Sequence, residues 1–276
     1  MHNWMAQLNE NKLVTEVNLP GTHDSGTFAE ATFWSIGVEQ GRCQTMSFKE
    51  QLEAGVRFFD IRLEKQDDDY RFCHGGYISY DLMFHNVLEV FLNFLRKNPT
   101  EFIVMSVKCD NGEDFTQEWE AKYGRTPEFY NDKHFPTVEN ARGKIIILSR
   151  LRDASVGFPV RWSDNTKFQE VDETTYLYAV QDYYDVDLEQ AYKKKRVIDH
   201  YLERAQQMQR ERLRICFTSM TGKYYGIPDP KGAAKKINVH VIDVLERIPR
   251  GNTYGIIIMD FPSENLIEEI VRSNRE

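Results

Sequence analysis

Side chains capable of acid–base chemistry stand at or just past the C-terminal ends of short strand-like runs in this 276-residue chain. They are His23, Asp24, Asp60, Arg62, His74, Lys108, Arg150, Asp182 and Asp260. A barrel of parallel strands gathers its strand ends into one mouth, and enzymes of this architecture place their chemistry there. Two histidines, an arginine and several carboxylates meeting at one mouth, without the cysteine or histidine spacing of a metal site, indicate acid–base catalysis on a phosphate.

The pair of histidines predicts a division of labour between a base and an acid. Because an unperturbed imidazole has a pKa near ~6.5, one ring can be neutral while the other is protonated. One ring would remove a proton from an attacking hydroxyl while the other protonates the leaving oxygen. Asp24 and Asp260 are available to fix the tautomers of the two rings. No G-x-S-x-G nucleophile motif is present, so a hydroxyl of the substrate itself is expected to attack.

Glycines flank both histidines. His23 lies in the turn LPGTHDSG, and His74 is followed by Gly75 and Gly76, which allow a ligand to approach the backbone closely. Taken alone, the first segment could be an ordinary strand-to-loop turn with a solvated His-Asp pair. The second histidine at the same rim favours the functional interpretation.

Arg62 is the candidate phosphate-binding cation. Strand alternation places Asp60 and Arg62 on one face, opposite Phe59, Ile61 and Leu63. A buried ion pair is the purely structural alternative. Inward charges near a barrel mouth are costly to desolvate, however, and a guanidinium there can neutralise a phosphate and the charge that develops during reaction.

Strands alternate with helices along most of the chain, which is typical of a parallel sheet with crossover helices. The eight predicted strands are Val14–Pro20, Val56–Arg62, Tyr70–His74, Phe102–Lys108, Ile145–Arg150, Thr175–Asp182, Arg214–Ser219 and Gly255–Asp260. The main predicted helices are a short one opened by the capping box at Ser47, then Asp81–Asn98, Asp187–Leu213, Lys231–Arg247 and Glu264–Arg272.

These elements predict a single α/β domain over residues 1–276, an irregular (β/α)8 TIM-type barrel. The link Glu64–Asp69 is too short for a crossover helix, so the irregularity is expected around the second and third strands. An open doubly wound sheet is the alternative, but neither G-x-G-x-x-G nor a P-loop motif supports it.

The balance of charged residues limits the classes of molecule that the protein is expected to bind. The chain has 35 basic and 43 acidic residues, a net charge of −8, which argues against nucleic acid and against electrostatic docking on anionic membranes. No apolar run approaches the ~20 residues of a membrane span. The N-terminus shows no signal-peptide pattern, so we expect a secreted protein if a signal peptide has been removed, and otherwise a cytoplasmic one with transient membrane binding. A monomer with reduced, scattered cysteines is expected.

The chain resembles the bacterial phosphatidylinositol-specific phospholipases C, the metal-independent branch of the phospholipase C X-type catalytic domain. The stretches that carry the resemblance are LPGTHDSGTF, AGVRFFDIR, CHGG, IVMSVK, GKIIILSR, WSDN, AVQDYY and IIIMD. They are spread over nearly the whole chain. The resemblance implies a lyase-type phospholipase C that releases diacylglycerol and inositol 1,2-cyclic phosphate.

The resemblance also implies catalytic roles. His23 matches the general base for the inositol 2-hydroxyl, with Asp260 as the carboxylate that orients it. His74 matches the general acid for the leaving oxygen, with Asp24 as its partner. Arg62 matches the arginine that binds the phosphate, with Asp60 beside it. Because this arginine stands where calcium-dependent relatives have a carboxylate, no metal and no other cofactor is expected.

Substrate contacts follow from the same resemblance. Lys108, Arg150 and Asp182 match residues that hydrogen-bond inositol hydroxyls, and Tyr184 matches the aromatic residue that stacks on the ring. The partner implied is phosphatidylinositol in membranes, with glycosylphosphatidylinositol anchors as a further substrate class. Trp34, Tyr224 and Tyr225 are candidates for membrane contact, and core or rim packing is the alternative for these aromatic residues.

Two rival functions stay open at this point. The first is a metal-dependent barrel glycerophosphodiesterase, which also uses paired histidines but favours carboxylates where this chain has Arg62. The second is a catalytically silent X-type domain that only binds lipid. The presence of both His23 and His74 argues against the silent domain.

Overall fold

The computed structural model describes residues 1–32 and 37–275, and its strands form one curled sheet. Within the described residues the strands are β1 Leu19–Thr22, β2 Phe58–Gln66, β3 Asp69–His74, β4 Ile78–Met83, β5 Ile103–Cys109, β6 Ile145–Ser149, β7 Phe158–Pro159, β8 Gln169–Asp172, β9 Leu177–Gln181, β10 Arg212–Phe217 and β11 Ile256–Met259.

Helices cover the outside of this sheet. In the described part of the chain they are α1 Val38–Gly41, α2 Phe48–Ala54, α3 Phe84–Lys97, α4 Thr116–Tyr123, α5 Val138–Ala141, α6 Ala191–Ala205, α7 Pro230–Leu245 and α8 Glu264–Arg272. Short 3-10 turns lie at Trp4–Gln7, Val14–Glu16 and Leu188–Gln190. Of these helices and turns, none is both long enough and apolar enough to span a bilayer.

Parallel pairing builds the barrel. The hydrogen-bonded order is β7-β6-β5-β2-β1-β11-β10-β9-β8, and every neighbouring pair is parallel except β8 with β9. The first barrel strand therefore pairs with the last, since Leu19 lies opposite Ile256. The prediction of an α/β barrel of the TIM type is confirmed, and its parallel strands among the described residues number eight, counting β7.

One of the eight predicted barrel strands was wrong. Tyr70–His74 belongs to β3, which runs antiparallel to β2 and pairs further with β4, so it extends the sheet beyond the barrel path. The reason is the short link that the sequence shows: β2 continues to Gln66 and the chain turns back at once. The eighth parallel strand is Phe158–Pro159, whose two residues are too few to show any periodicity.

The barrel has a seam between β7 and the β8–β9 hairpin, where no backbone ladder is found in the described residues. Tyrosine hydroxyls bridge it instead. Tyr178 Oη accepts from the Arg161 N–H at 2.9 Å and donates to the Arg161 carbonyl at 2.7 Å. Tyr176 Oη donates to the Pro159 carbonyl at 2.5 Å. Side chains thus satisfy backbone groups that a strand would otherwise pair.

Several predicted helices and strands extend beyond the observed ones. The helix expected over Asp187–Leu213 is a 3-10 turn followed by α6, which ends at Ala205, and β10 already begins at Arg212. The charged residues at the start of β10 resemble a helix surface, but Arg214 is buried and its guanidinium donates to five backbone carbonyls. The helix expected from Asp81 begins at Phe84, because the preceding residues form β4. The first predicted strand is shorter, since Val14–Glu16 is a 3-10 turn.

Strand alternation separates two apolar layers. Phe59, Ile61 and Leu63 of β2 pack outward against the helices. Phe58 of the same strand packs inward with Val104 of β5 and other residues that fill the lower half of the barrel. Residues 60 and 62 continue the inward face, so the apolar filling gives way to charged side chains toward the strand C-termini. The site described next lies on top of this filling.

Candidate active site

The turn after β1 presents His23 and Asp24 to the barrel mouth. Asp24 has a φ of +43°, in the left-handed region that Asp tolerates better than most residues. Ser25 joins the turn to β2, since its Oγ accepts from the Asp60 N–H at 2.8 Å. Gly26 approaches the Phe72 ring so closely that a Cβ would lie 2.2 Å from it. The glycine is therefore required by packing against Phe72.

His23 is held at both ring nitrogens. Its Nδ1 lies 2.8 Å from Asp260 Oδ1 and its Nε2 lies 2.9 Å from Arg62 Nη2. Because the carboxylate can only accept and the guanidinium can only donate, the proton belongs on Nδ1 and the Nε2 lone pair faces Arg62. Burial lowers the pKa of His23, but Asp260 and Asp24 outweigh burial and Arg62, and the pKa ends above its ordinary 6.5.

Arg62 is the cation around which the acidic groups are arranged. Its Nε–H donates to Asp60 Oδ2 at 2.9 Å, and the same nitrogen lies 2.9 Å from Asp24 Oδ1. Burial works against its charge, but Asp24, Asp60 and Asp110 raise the pKa of Arg62 well above the usual range. Arg62 is therefore a permanent positive charge at the bottom of the cavity.

His74 stands at the end of β3, across the carboxylate of Asp24 from His23. Its Nδ1 lies 2.8 Å from the Gly41 carbonyl and 3.5 Å from Asp24 Oδ2. The Gly41 carbonyl is therefore the hydrogen-bond acceptor that fixes the tautomer of this ring, a contact that the sequence did not predict. Asp24 Oδ2 is also 3.4 Å from His23 Nε2, so one carboxylate lies beside both histidines and Arg62.

The carboxylates of Asp24 and Asp60 differ in the hydrogen bonds that they accept. Asp60 accepts hydrogen bonds from Ser106 Oγ at 2.8 Å, from the Asp24 N–H at 3.2 Å and from Arg62. Burial would raise its pKa, but Arg62, His23 and Arg150 lower the pKa of Asp60 well below its usual range. Asp24 is equally buried, yet neither of its oxygens receives a directed hydrogen bond from the residues that the structure describes. The Arg62 Nε–H points at Asp60 and gives Asp24 only charge attraction.

The predicted inositol-binding residues line the other side of the same cavity, whose volume is about 370 Å³. Lys108 is paired with Asp110, and Tyr184 Oη donates to Asp164 at 2.9 Å. Asp182 accepts from Trp162 Nε1 at 2.9 Å. The Arg150 guanidinium lies 4.2 Å from the centre of the Trp162 ring. Its Nη1 is buried without a hydrogen-bond partner among the described residues, so it can still donate to a ligand.

Asp110 and Cys43 line the cavity and Trp162 contacts two of its lining residues, but none of the three was predicted as a site residue. Asp110 accepts from the Gly75 N–H and pairs with Lys108, so it ties the turn after His74 to the end of β5. Alternation from Lys108 could have identified it. Trp162 follows the two-residue strand that the sequence does not reveal. Cys43 lines the cavity between the two histidines, and no motif indicates it.

The aromatic residues proposed for membrane contact lie only partly within the described residues. Tyr224 and Tyr225 are 48% and 87% exposed and pack edge-to-face, in the loop that also brings Pro228 and Pro230 to the cavity rim. Core packing is therefore excluded for this pair. Trp34 lies outside the described residues. Tyr77, after the glycines that follow His74, is 92% exposed and was not predicted.

Metal-ligating atoms converge in two groups within the described residues. One comprises His23, Cys43 and Asp260, and the other Asp24, Cys43 and His74; in each, one ligand atom per residue lies within 4.8 Å of the others. Arg62 lies beside both groups, since it is 2.9 Å from Asp24 Oδ1 and 2.9 Å from His23 Nε2, and it already contributes a positive charge there.

Comparison with known proteins bears on this site as follows. Residues 17–151 match the family described as phosphatidylinositol-specific phospholipase C, X domain. The chain is 27% identical to the 1-phosphatidylinositol phosphodiesterase of Listeria monocytogenes, over 99% of this chain and 84% of that protein.

Solved structures agree with this match. A double mutant of the phosphatidylinositol-specific phospholipase C from Staphylococcus aureus superposes with a TM-score of 0.87 at 25% identity, covering 99% of this chain and 97% of that one. The Listeria monocytogenes enzyme gives 0.78 at 25% identity, covering 100% of this chain and 99% of that one. The resemblance carried by the sequence motifs is thereby confirmed.

Proposed function

We propose that this chain, whose residues 17–151 match a phosphatidylinositol-specific phospholipase C X domain, is a phospholipase C that cleaves phosphatidylinositol. The observation that carries the proposal is the placement of His23 and His74 on either side of Asp24, with Arg62 beneath them at the barrel mouth. The two relatives named above, from Listeria monocytogenes and Staphylococcus aureus, support the substrate class through their names.

His23 is the proposed general base. Its Nδ1–H is directed at Asp260, so Nε2 carries the lone pair that takes the proton of the inositol 2-hydroxyl once Arg62 has turned away from it. The hydroxyl oxygen then forms a bond to phosphorus within the same molecule, which proximity favours strongly. The Asp260 carboxylate stabilises the imidazolium that results.

Arg62 is the proposed phosphate ligand. In the described arrangement its Nη2 donates to His23 Nε2, and a bound phosphate oxygen is a stronger acceptor that would replace the imidazole. The exchange would free the base and place a fixed positive charge where negative charge develops on the phosphate oxygens. Asp60 holds the guanidinium plane through Nε during this exchange.

His74 is the proposed general acid. Its Nδ1–H is bonded to the Gly41 carbonyl, so Nε2 is the nitrogen that delivers a proton to the leaving oxygen of diacylglycerol. The Asp24 carboxylate lies close to both rings and receives no directed hydrogen bond from the described residues. The phosphorus–oxygen bond breaks, diacylglycerol leaves as an alcohol, and inositol 1,2-cyclic phosphate remains.

The inositol ring is proposed to bind between Arg150 and Tyr184. Arg150 Nη1 has no hydrogen-bond partner among the described residues and lies 3.8 Å from Asp60 Oδ1, while Lys108 and Asp182 offer a donor and an acceptor to ring hydroxyls. Tyr184 lines the same cavity and supplies an apolar ring face. The exposed Tyr224 and Tyr225 stand on the rim loop and are proposed to contact the bilayer interface while the headgroup is bound.

Phosphorus NMR of the protein with phosphatidylinositol vesicles in excess EDTA tests the proposal. A resonance of the five-membered cyclic phosphate is the expected result. Turnover that appears only after calcium or magnesium is added would replace the proposal with a metal-dependent phosphodiesterase. Vesicle binding without turnover under any condition would replace it with a silent lipid-binding domain.

A further inference from the structure

Cys43 and His74 line the cavity, and the buried side chain of Asp24 lies beside them. The Gly41 carbonyl accepts from His74 Nδ1 at 2.8 Å and from the Cys43 thiol at 3.6 Å, so these two atoms face the same oxygen. Asp24 Oδ2 lies 3.5 Å from His74 Nδ1. Ligand atoms of Asp24, Cys43 and His74 all lie within 4.8 Å of one another.

The cluster has unused bonding capacity. The Asp24 carboxylate is 2% exposed, and neither oxygen receives a directed hydrogen bond from the residues that the structure describes. Arg62 attracts Oδ1, which leaves Oδ2 on the side of His74. Cys43 and His74 both line the open cavity, so an ion can reach the cluster from the barrel mouth.

We propose that Asp24, Cys43 and His74 form an inhibitory site for Zn²⁺ and similar thiophilic divalent cations. One sulfur, one nitrogen and one carboxylate oxygen are a common protein ligand set for zinc, with a water as the fourth ligand. Zinc bonds of ~2.3 Å to sulfur and ~2.0–2.1 Å to nitrogen require the present atoms to approach by about 1 Å. Side-chain rotation at the cavity wall provides that movement.

The protons and charges balance without any redox step. The thiol of Cys43 releases one proton to solvent, and the imidazole of His74 moves its proton from Nδ1 to Nε2 so that Nδ1 binds the metal. The two charges of the ion are matched by the thiolate and the Asp24 carboxylate. Arg62 keeps its own counterion, Asp60. Thiolate and imidazole ligands disfavour calcium and magnesium, so the site differs in kind from a catalytic calcium site.

Inhibition follows because the metal takes the place of the Nδ1 proton, and the neutral, metal-bound ring that remains gives up its Nε2 proton far less readily than an imidazolium does. This consequence rests on the proposed function, whereas metal binding does not. The two are therefore tested by separate measurements.

Titration of the protein with Co²⁺, followed by absorption, tests binding. The expected result is a thiolate-to-cobalt charge-transfer band in the near ultraviolet that Zn²⁺ abolishes. Cys43→Ser should lose this band, and Cys109→Ser should keep it, because Cys109 lies on β5 outside the cluster. If Cys43→Ser does not fold, Asp24→Asn serves instead and should weaken cobalt binding at least ~10-fold, as even outer-shell partners do. A missing band in the wild type, or a band that survives in Cys43→Ser, overturns the proposal.

Hydrolysis of a water-soluble inositol phosphodiester, with and without Zn²⁺, tests inhibition. The half-inhibiting concentration should rise at least ~10-fold in Cys43→Ser when each variant is compared with its own zinc-free rate, while Cys109→Ser should respond as the wild type does. Equal inhibition of all three proteins places the zinc effect elsewhere and contradicts the proposal. A cobalt band in a protein that hydrolyses no inositol phosphodiester leaves the metal site standing and rejects the proposed function.

Discussion

Arg62 and His23 share a hydrogen bond of 2.9 Å between Nη2 and Nε2, so the proposed phosphate ligand occupies the proposed base when no substrate is bound. An imidazole bonded in this way cannot accept a proton from another donor. In the proposed mechanism, substrate binding therefore redirects the guanidinium before the 2-hydroxyl is deprotonated. The phosphate that needs activation is then also the group that releases the base.

Replacement of either histidine should remove activity without unfolding the barrel. His23→Ala and His74→Ala are each expected to lower kcat by at least about 10²-fold, because general acid–base catalysis contributes that much. His134→Ala is the matched control, since His134 is exposed on the outside of the fold. Cyclic phosphate release and thermal melting are measured together, and near-normal turnover of either variant with an intact melt would contradict the assignment.

Arg62→Lys should keep a positive charge and still lose most of the rate. An ammonium cannot bond Asp60 and a phosphate oxygen through a fixed planar fork, so kcat should fall about 10²–10³-fold. Arg62→Asp should be at least as severe, and its activity should rise with added calcium if the guanidinium takes the part of a metal. Initial rates in EDTA and in calcium distinguish the cases; an Arg62→Lys variant as fast as the wild type would exclude the clamp.

Asp260→Asn should change the pH dependence as well as the rate. The pKa of His23 is raised above 6.5, although burial lowers it, because Asp260 and Asp24 favour the imidazolium. The base works only when neutral, so the acid limb of kcat/KM should lie above pH 6.5 in the wild type. Removing the Asp260 charge lowers the pKa of His23, and the limb should move to lower pH while the plateau falls. A limb that stays in place would show that another group titrates.

The rim loop should matter for vesicles and not for soluble substrate. Tyr225→Ser removes an aromatic ring that is 87% exposed, so stability should be unchanged while vesicle binding weakens. Val239→Ser is the control, because Val239 is exposed on the middle of α7, away from the loop. Vesicle sedimentation and soluble-substrate kinetics are compared; equal vesicle affinity of both variants would remove Tyr225 from the membrane contact.

Sequence reasoning reached the residues whose position depends on strand alternation. Asp60 and Arg62 could be placed on the inner face of β2, and His23, Lys108 and Asp260 at strand ends, because these follow from a period of two residues.

The remaining features depend on segments that meet only in the folded chain. The acceptor for His74 is the carbonyl of Gly41, more than thirty positions earlier and with no side chain to suggest it. Phe158–Pro159 is too short to have a period, so the strand that precedes Trp162 could not be predicted. Arg214 was predicted to begin a strand, but nothing in the sequence shows that backbone carbonyls surround its buried guanidinium.

The gap between β7 and the β8–β9 hairpin, where no backbone ladder is found in the described residues, is the place where the barrel can deform most easily. A ring of strands that is hydrogen-bonded elsewhere bends most easily where the backbone ladder is missing, and here the hydroxyls of Tyr176 and Tyr178 bond to backbone groups across that gap. Trp162 and Asp164, in the segment that follows β7, form hydrogen bonds with Asp182 and Tyr184 on the β9 side of this gap. A sugar ring bound between those residues would connect the two sides of the gap. Ligand binding at the barrel mouth would therefore make the barrel stiffer.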